Sequence, residues 1–147
     1  MERHLSSLVR RIHHEIRRRL LDELRTQGYT DISQAHMYVF ARPGPDGCRP
    51  TELAQRAITT KQAMNHLLSG LEANGYLRRV LDPNDGRGSI VRLTAKGRKL
   101  TSLIHRTASA IQREWADELG ASRMEDLLRL LTDIDAIATQ DHDGESK

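Results

Sequence analysis

The chain is poor in aromatic residues: one tryptophan (Trp115), one phenylalanine (Phe40) and three tyrosines make up 3% of its 147 residues. A core must therefore be assembled from Leu, Ile, Val, Met and Ala, which suits packed helices. There is a single cysteine, Cys48. It excludes an intramolecular disulfide and a cysteine-based zinc cluster, and it fits a reducing compartment. No run of about 18 apolar residues occurs, so no membrane span is expected. The N-terminal MERHLSSLVRRIHHEIRRRL is charged every few residues and has no apolar core of signal-peptide length. A cytoplasmic location follows as the expectation. The histidines, at 4, 13, 14, 36, 66, 105 and 142, lack the His-x-x-x-His or His-Glu-x-x-His spacing that sets two imidazoles on one helical face. No phosphate loop and no converging nucleophile, base and oxyanion donors are found. Neither a metal, a cofactor nor an enzymatic activity is expected.

The length is one domain's worth. The net charge of +3 is mild but unevenly spread. Residues 49–99 hold ten Lys/Arg against four Asp/Glu, a balance of +6, whereas residues 100–147 hold five against ten, a balance of −5. A basic excess confined to one segment is what a phosphate-binding surface needs.

That segment reads as two short helices, a hairpin and the start of a third helix. Thr51 is expected to cap the first helix, in which Leu53, Ala54 and Ala57 share a small apolar face, and Thr60 the second. In the second helix Met64, Leu67, Leu68 and Leu71 fall at i, i+3, i+4 and i+7 and form a buried stripe. Gln62, His66, Ser69 and Ala73 lie roughly opposite, with Asn65 beside them and Lys61 near the N-terminus. Asn74-Gly75 stops the helix, because Gly75 can adopt the left-handed conformation. Two β-prone runs, Tyr76 to Asp82 and Ser89 to Thr94, then flank Pro83-Asn84-Asp85-Gly86-Arg87-Gly88, a hairpin tip longer than a two-residue turn with an arginine at its end.

This order of parts resembles the MarR family of bacterial transcription regulators. The residues that carry the resemblance are Leu53-Ala54-Gln55-Arg56-Ala57, Thr60-Lys61-Gln62, Leu71-Glu72-Ala73-Asn74-Gly75-Tyr76, Asp82-Pro83-Asn84-Asp85-Gly86-Arg87 and Val91-Arg92-Leu93-Thr94-Ala95-Lys96-Gly97-Arg98. A helix-turn-helix pattern alone is weak, but a wing with Asp-Pro-x-Asp-x-Arg followed at the right distance by Leu-Thr-x-x-Gly-Arg is specific. One departure stands out: Ile58 occupies the inter-helix turn where many relatives have glycine.

Elsewhere the pattern is helical. Leu5 to Gln27 reads as a long helix with an apolar stripe of Leu5, Leu8, Val9, Ile12, Ile16, Leu20 and Leu24, ended by Gly28; its arginines, Arg17 among them, read as a solvated face. Asp31 to Ala41 reads as a second helix capped by Asp31 or Ser33, broken by Arg42-Pro43-Gly44-Pro45-Asp46-Gly47. Cys48-Arg49 must be extended before Pro50; the resemblance implies a short strand there, and Cys48 reads as incidental rather than as a redox sensor. Thr94 is expected to cap a helix to about Leu119, and Gly120 to break it. Ser122-Arg123-Met124-Glu125 reads as a capping box opening a last helix with Leu127, Leu128, Leu131, Ile134 and Ile137, and the tail from Asp141 as frayed.

The expected fold class is mainly α with a small β-hairpin wing. The resemblance implies one domain over residues 1–147, a winged helix-turn-helix at 48–98 and a helical dimerisation region from residues 5–27 and 100–141. It implies a homodimer on a pseudo-palindromic double-stranded DNA operator, most simply a repressor, released by a small-molecule effector whose pocket residues no motif identifies. Thr60 and Lys61 would meet phosphate at the helix N-terminus. Gln62 and Asn65 would read base edges, and His66 and Ser69 bases or phosphates. Arg78 and Arg79 would contact phosphates, and Arg87, its guanidinium oriented by Asp85, would enter a narrow minor groove. The alternative is a winged-helix scaffold for protein association without specific DNA binding, against which the retained Lys61, Arg78, Arg79 and Arg87 weigh.

Overall fold

The computed structural model describes residues 3–143, with side chains through residue 140. The described residues divide into two compact units, one ending at Ala108 and the other beginning at Ser109.

The first unit opens with helix α1 (Leu5–Thr26). Leu20, Leu21 and Leu24 are buried, whereas Leu5, Leu8, Val9 and Ile12 of the same stripe are 41–54% exposed. Gly28 ends the helix at φ 92°, and the Tyr29 N–H reaches back to the Leu24 carbonyl at 2.9 Å. Arg17 corrects the sequence reading. It is buried, its guanidinium lies 3.6 Å from the Tyr38 ring centroid, and its Nη2 donates to the Gln34 carbonyl at 3.1 Å. The aromatic face and the carbonyl offset part of the cost of burying this charge, whose Nε has no partner.

Helix α2 (Gln34–Met37) is far shorter than the predicted Asp31–Ala41. Ser33 caps it, with His36 in the place of the usual Glu: the His36 N–H donates to Ser33 Oγ and the Ser33 N–H to His36 Nδ1 at 3.0 Å. Asp31 is not a cap; it accepts the Tyr76 hydroxyl at 2.6 Å. Residues 38–40 tighten into i→i+3 turns ahead of the proline-glycine segment.

Helix α3 (Pro50–Arg56) starts one residue before Thr51, so Thr51 lies inside it and Arg49 is the N-cap, extended at φ −80°, ψ 147°. Pro50 at the first position explains this, since its missing N–H is not needed there. The turn keeps the left-handed conformation without glycine: Ile58 has φ 51° and is 95% exposed. Thr60 caps helix α4 (Lys61–Ala73) by accepting the Ala63 N–H, and Met64, Leu68 and Leu71 of that helix are completely buried. Gly75 closes it at φ 82°.

Strands β1 (Leu77–Asp82) and β2 (Asp85–Leu93) form a two-stranded antiparallel sheet, in register from Leu77 opposite Leu93 to Leu81 opposite Ser89. The register then shifts so that Asp82 faces Asp85 across Pro83-Asn84. The tip is thus a two-residue turn followed by a bulge over residues 86–88, where a turn longer than two residues was expected. Cys48 is buried, and its carbonyl and the Gly47 N–H both bond Val91, which gives the sheet one extra point of pairing where a short strand was expected. Helix α5 (Ala95–Leu119) starts at Thr94, whose Oγ1 accepts the Gly97 N–H and donates to the Gly75 carbonyl at 2.6 Å. Leu100 and Ile104 are buried in this half.

The second unit holds the end of α5 and helix α6 (Ala121–Asp143), joined at Gly120 with φ 103°. Helix α6 begins before Ser122, and the Met124 N–H bonds the Gly120 carbonyl, so the expected capping box is replaced by a main-chain bond. Ile111 and Met124 are buried, but Leu127, Leu128, Leu131, Ile134 and Ile137 are 39–64% exposed. The helix runs on through Asp141, and residues 144–147 of the expected frayed tail lie outside the described residues.

Candidate nucleic-acid interface

The buried stripe of α4 turns Lys61, Gln62, Asn65, His66 and Ser69 outward, and all five are exposed. Their side chains stand along about two turns, which is the reach of a helix laid against a groove. The Thr60 cap leaves the remaining N-terminal N–H groups of α4 facing solvent beside Lys61, a favourable place for an anion.

The far end of this face is held by an acid. Glu72 accepts the Arg79 N–H at 2.7 Å and its guanidinium at 3.4 Å, and Arg79 Nη2 donates to Ser69 Oγ at 2.9 Å. Arg79 and Ser69 are therefore engaged with each other, while Arg78, its neighbour on β1, is exposed. The alternation of a strand accounts for the difference.

At the wing, Arg87 is exposed. Asp85 Oδ1 accepts the main-chain N–H of Arg87 at 3.2 Å. The expected orientation of the guanidinium by Asp85 is thus corrected: the carboxylate shapes the loop backbone. A second acid, Asp82, is buried at the base of the tip. Its Oδ1 accepts the Asn84 N–H at 2.9 Å, and its Oδ2 accepts from Arg49 Nε at 3.0 Å and forms an ion pair with Arg49 Nη2 at 2.7 Å. The Asn84 N–H, and then Arg49, hold the Asp82 carboxyl below the usual carboxylate range. Sequence reasoning missed Arg49, whose partner lies 33 residues away; Asp82 appeared only as part of a motif.

The ten sequence-predicted residues thus fall into two groups of one unit, Thr60 to Ser69 on α4 and Arg78 to Arg87 on the hairpin, with Ser69 and Arg79 joining them. Among the described residues no group of three or more His, Cys, Asp or Glu is placed to hold a metal ion, and no helix is long and apolar enough to cross a membrane.

A helix-turn-helix followed by a hairpin, with a polar helix face and a cationic loop exposed, defines a winged helix-turn-helix protein. The MarR family model matches residues 38–88. The transcriptional regulator HosA of Escherichia coli O111:H- is 28% identical over 85 residues, 58% of this chain and 63% of HosA. The match thus spans less than two thirds of that relative's length. Among solved structures, Streptococcus pneumoniae FabT in complex with DNA has a TM-score of 0.73 at 20% identity, covering 92% of this chain and 96% of that one. The S. aureus MepR–DNA complex has a TM-score of 0.71 at 24% identity, covering 92% and 98%. At these identities the structural likeness speaks for the fold. Residues 38–88, which run from the end of α2 to the tip of the wing, are thus similar to the MarR family.

Proposed function

We propose that this protein is a homodimeric, sequence-specific double-stranded DNA-binding transcriptional regulator, a cytoplasmic repressor released by a small-molecule effector. The observation that carries the reading is the exposed face of α4 from Lys61 to His66, framed by a projecting wing with Arg87 at its tip. Lys61 and the α4 N-terminus suit phosphate, and the amides of Gln62 and Asn65 can donate and accept at one adenine edge. FabT and MepR, which share the fold, were solved with DNA. The exposed apolar stripes of α1 and α6 supply surface for a second copy, and a two-fold dimer would present two α4 helices to a two-fold site.

The effector reading is supported by an open cleft of about 590 Å³ lined by Gln27, Tyr29, Arg98, Lys99, Ser102 and Arg106, with Ala95 and Leu103 as apolar wall. Three cations without a carboxylate in the lining suit an organic anion. Arg98 Nη1 also donates to the carbonyl of Leu93 at the end of β2, so an anion that recruits Arg98 would loosen the root of the wing.

The test is a mobility shift with random-sequence duplex over a range of salt. Affinity should fall linearly on a log–log scale as salt rises, with a slope set by the phosphates contacted. Absence of binding at low salt would support the protein-association scaffold instead.

A further inference from the structure

An acid on a surface that meets phosphates weakens it, and the tip of this hairpin holds two. Asp82 uses its charge inward. It is 5% exposed, and both its oxygens are occupied, one by the turn and one by Arg49. The side chain of Arg49 is 45% exposed. Of the five N–H donors of its guanidinium, the one on Nε goes to Asp82, Nη2 makes an ion-pair contact with the same carboxylate oxygen, and the rest stay open for another acceptor on this half-exposed side chain. The pair joins the N-cap residue of α3 to the turn of the wing, so the open edge of Arg49 stands beside the loop that presents Arg87. A guanidinium already held by a buried carboxylate loses little rotamer freedom when it meets an anion.

We propose that Arg49 contacts a DNA phosphate and that Asp82 is the positioning residue that aims it. This rests on the DNA reading above and adds a residue pair to it. Within the pair the charges cancel, which makes the two substitutions act in opposite directions on the electrostatics. Removing Arg49 leaves an unpaired acid against the phosphates. Removing the charge of Asp82 leaves a freer cation without aim.

Affinity against salt is measured by fluorescence anisotropy for a random duplex and for a duplex selected by the unaltered protein from a random pool. Arg49→Met should weaken both by about tenfold near 0.1 M salt and lower the slope by about one. Asp82→Asn keeps an acceptor for the Asn84 N–H; it should weaken only the selected duplex, by about fivefold, and leave random-duplex binding equal or tighter. Arg49→Lys should restore the slope but not the selected-duplex affinity, because lysine lacks the planar fork. Parental slope and affinity in Arg49→Met would overturn the inference alone. So would equal weakening of both duplexes in Asp82→Asn, the mark of a merely structural role. If Arg49→Met does not fold, Asp82→Asn and Arg49→Lys decide by the same readouts. Failure of the unaltered protein to bind any duplex would overturn the DNA reading and this inference together.

Discussion

Gly97, in the first turn of α5, packs directly on the main-chain carbonyl of Tyr76, and a Cβ added at Gly97 would overlap that oxygen. The contact sets α5 against the junction of α4 and β1, where Thr94 also bonds the Gly75 carbonyl. The glycine of Leu-Thr-x-x-Gly-Arg is therefore a packing requirement. Gly97→Ala should destabilise the protein by about 2 kcal/mol or more despite alanine's better helix propensity. Urea unfolding measures it; an unchanged or raised midpoint would show that the backbone yields freely.

Ile58 holds φ 51° with its side chain almost fully in water, so it bears the cost of a left-handed β-branched residue without burial to offset it. Ile58→Gly should raise stability by about 0.5–1 kcal/mol, the relief of strain exceeding the entropy that glycine adds to the unfolded chain. Thermal melting would read this as a rise of a few degrees.

The acid limb of stability should report on His36. Burial, and then the nearby His66, push its pKa below the ordinary 6.5 against an opposing pull from Asp31, and its Nδ1 must be unprotonated to accept the Ser33 N–H. Burial and Arg17 lower His13 likewise. A depressed histidine pKa means that the unfolded chain binds more protons, so this contribution is full above 6.5 and is lost as pH falls toward the folded-state values. The melting temperature should drop between pH 7.5 and 5.5, and His36→Gln should flatten part of that slope. An identical pH dependence in the variant would remove His36 from the titration.

Much of this was legible in the sequence, and the failures have physical causes. The stripe of Met64, Leu68 and Leu71, the Thr60 cap and the Gly28, Gly75 and Gly120 stops are local patterns, and local patterns were read correctly. Long-range partners were not visible. Arg17 looked like one more solvated arginine until Tyr38 and Gln34 were brought against it. Asp31 looked like a cap until Tyr76, 45 residues on, took its carboxylate. Thr51 lost its capping role to a two-residue shift of the cap, to Arg49, imposed by Pro50. On the candidate interface, residue identity was readable but engagement was not: Glu72 occupies Arg79 through a contact between a helix and a strand.

The exposed stripe of α6 gives a test of assembly that does not disturb the monomer's core. Leu131 and Ile134 are 39% and 44% exposed in the single chain. Leu131→Lys with Ile134→Lys should leave the helical circular dichroism intact and shift sedimentation from dimer to monomer at micromolar concentration. A dimer that persists in the double variant would place assembly elsewhere.

Arg87 is exposed, with the loop backbone but not its charge engaged by Asp85. Arg87→Ala should weaken binding to selected and random duplexes alike and lower the log–log salt slope by about one. An unchanged slope would remove Arg87 from contact with DNA.

Selection of bound duplexes from a random-sequence pool, repeated with Gln62→Ala and Asn65→Ala, tests sequence-specific recognition by a two-fold dimer most directly. The unaltered protein is expected to enrich a pseudo-palindrome with half-sites about one helical turn apart, and each variant to lose preference at defined positions, about 1–3 kcal/mol of discrimination, while keeping non-specific affinity. A pool that emerges without a consensus, or variants that select the parental consensus equally sharply, would contradict recognition through this face of α4.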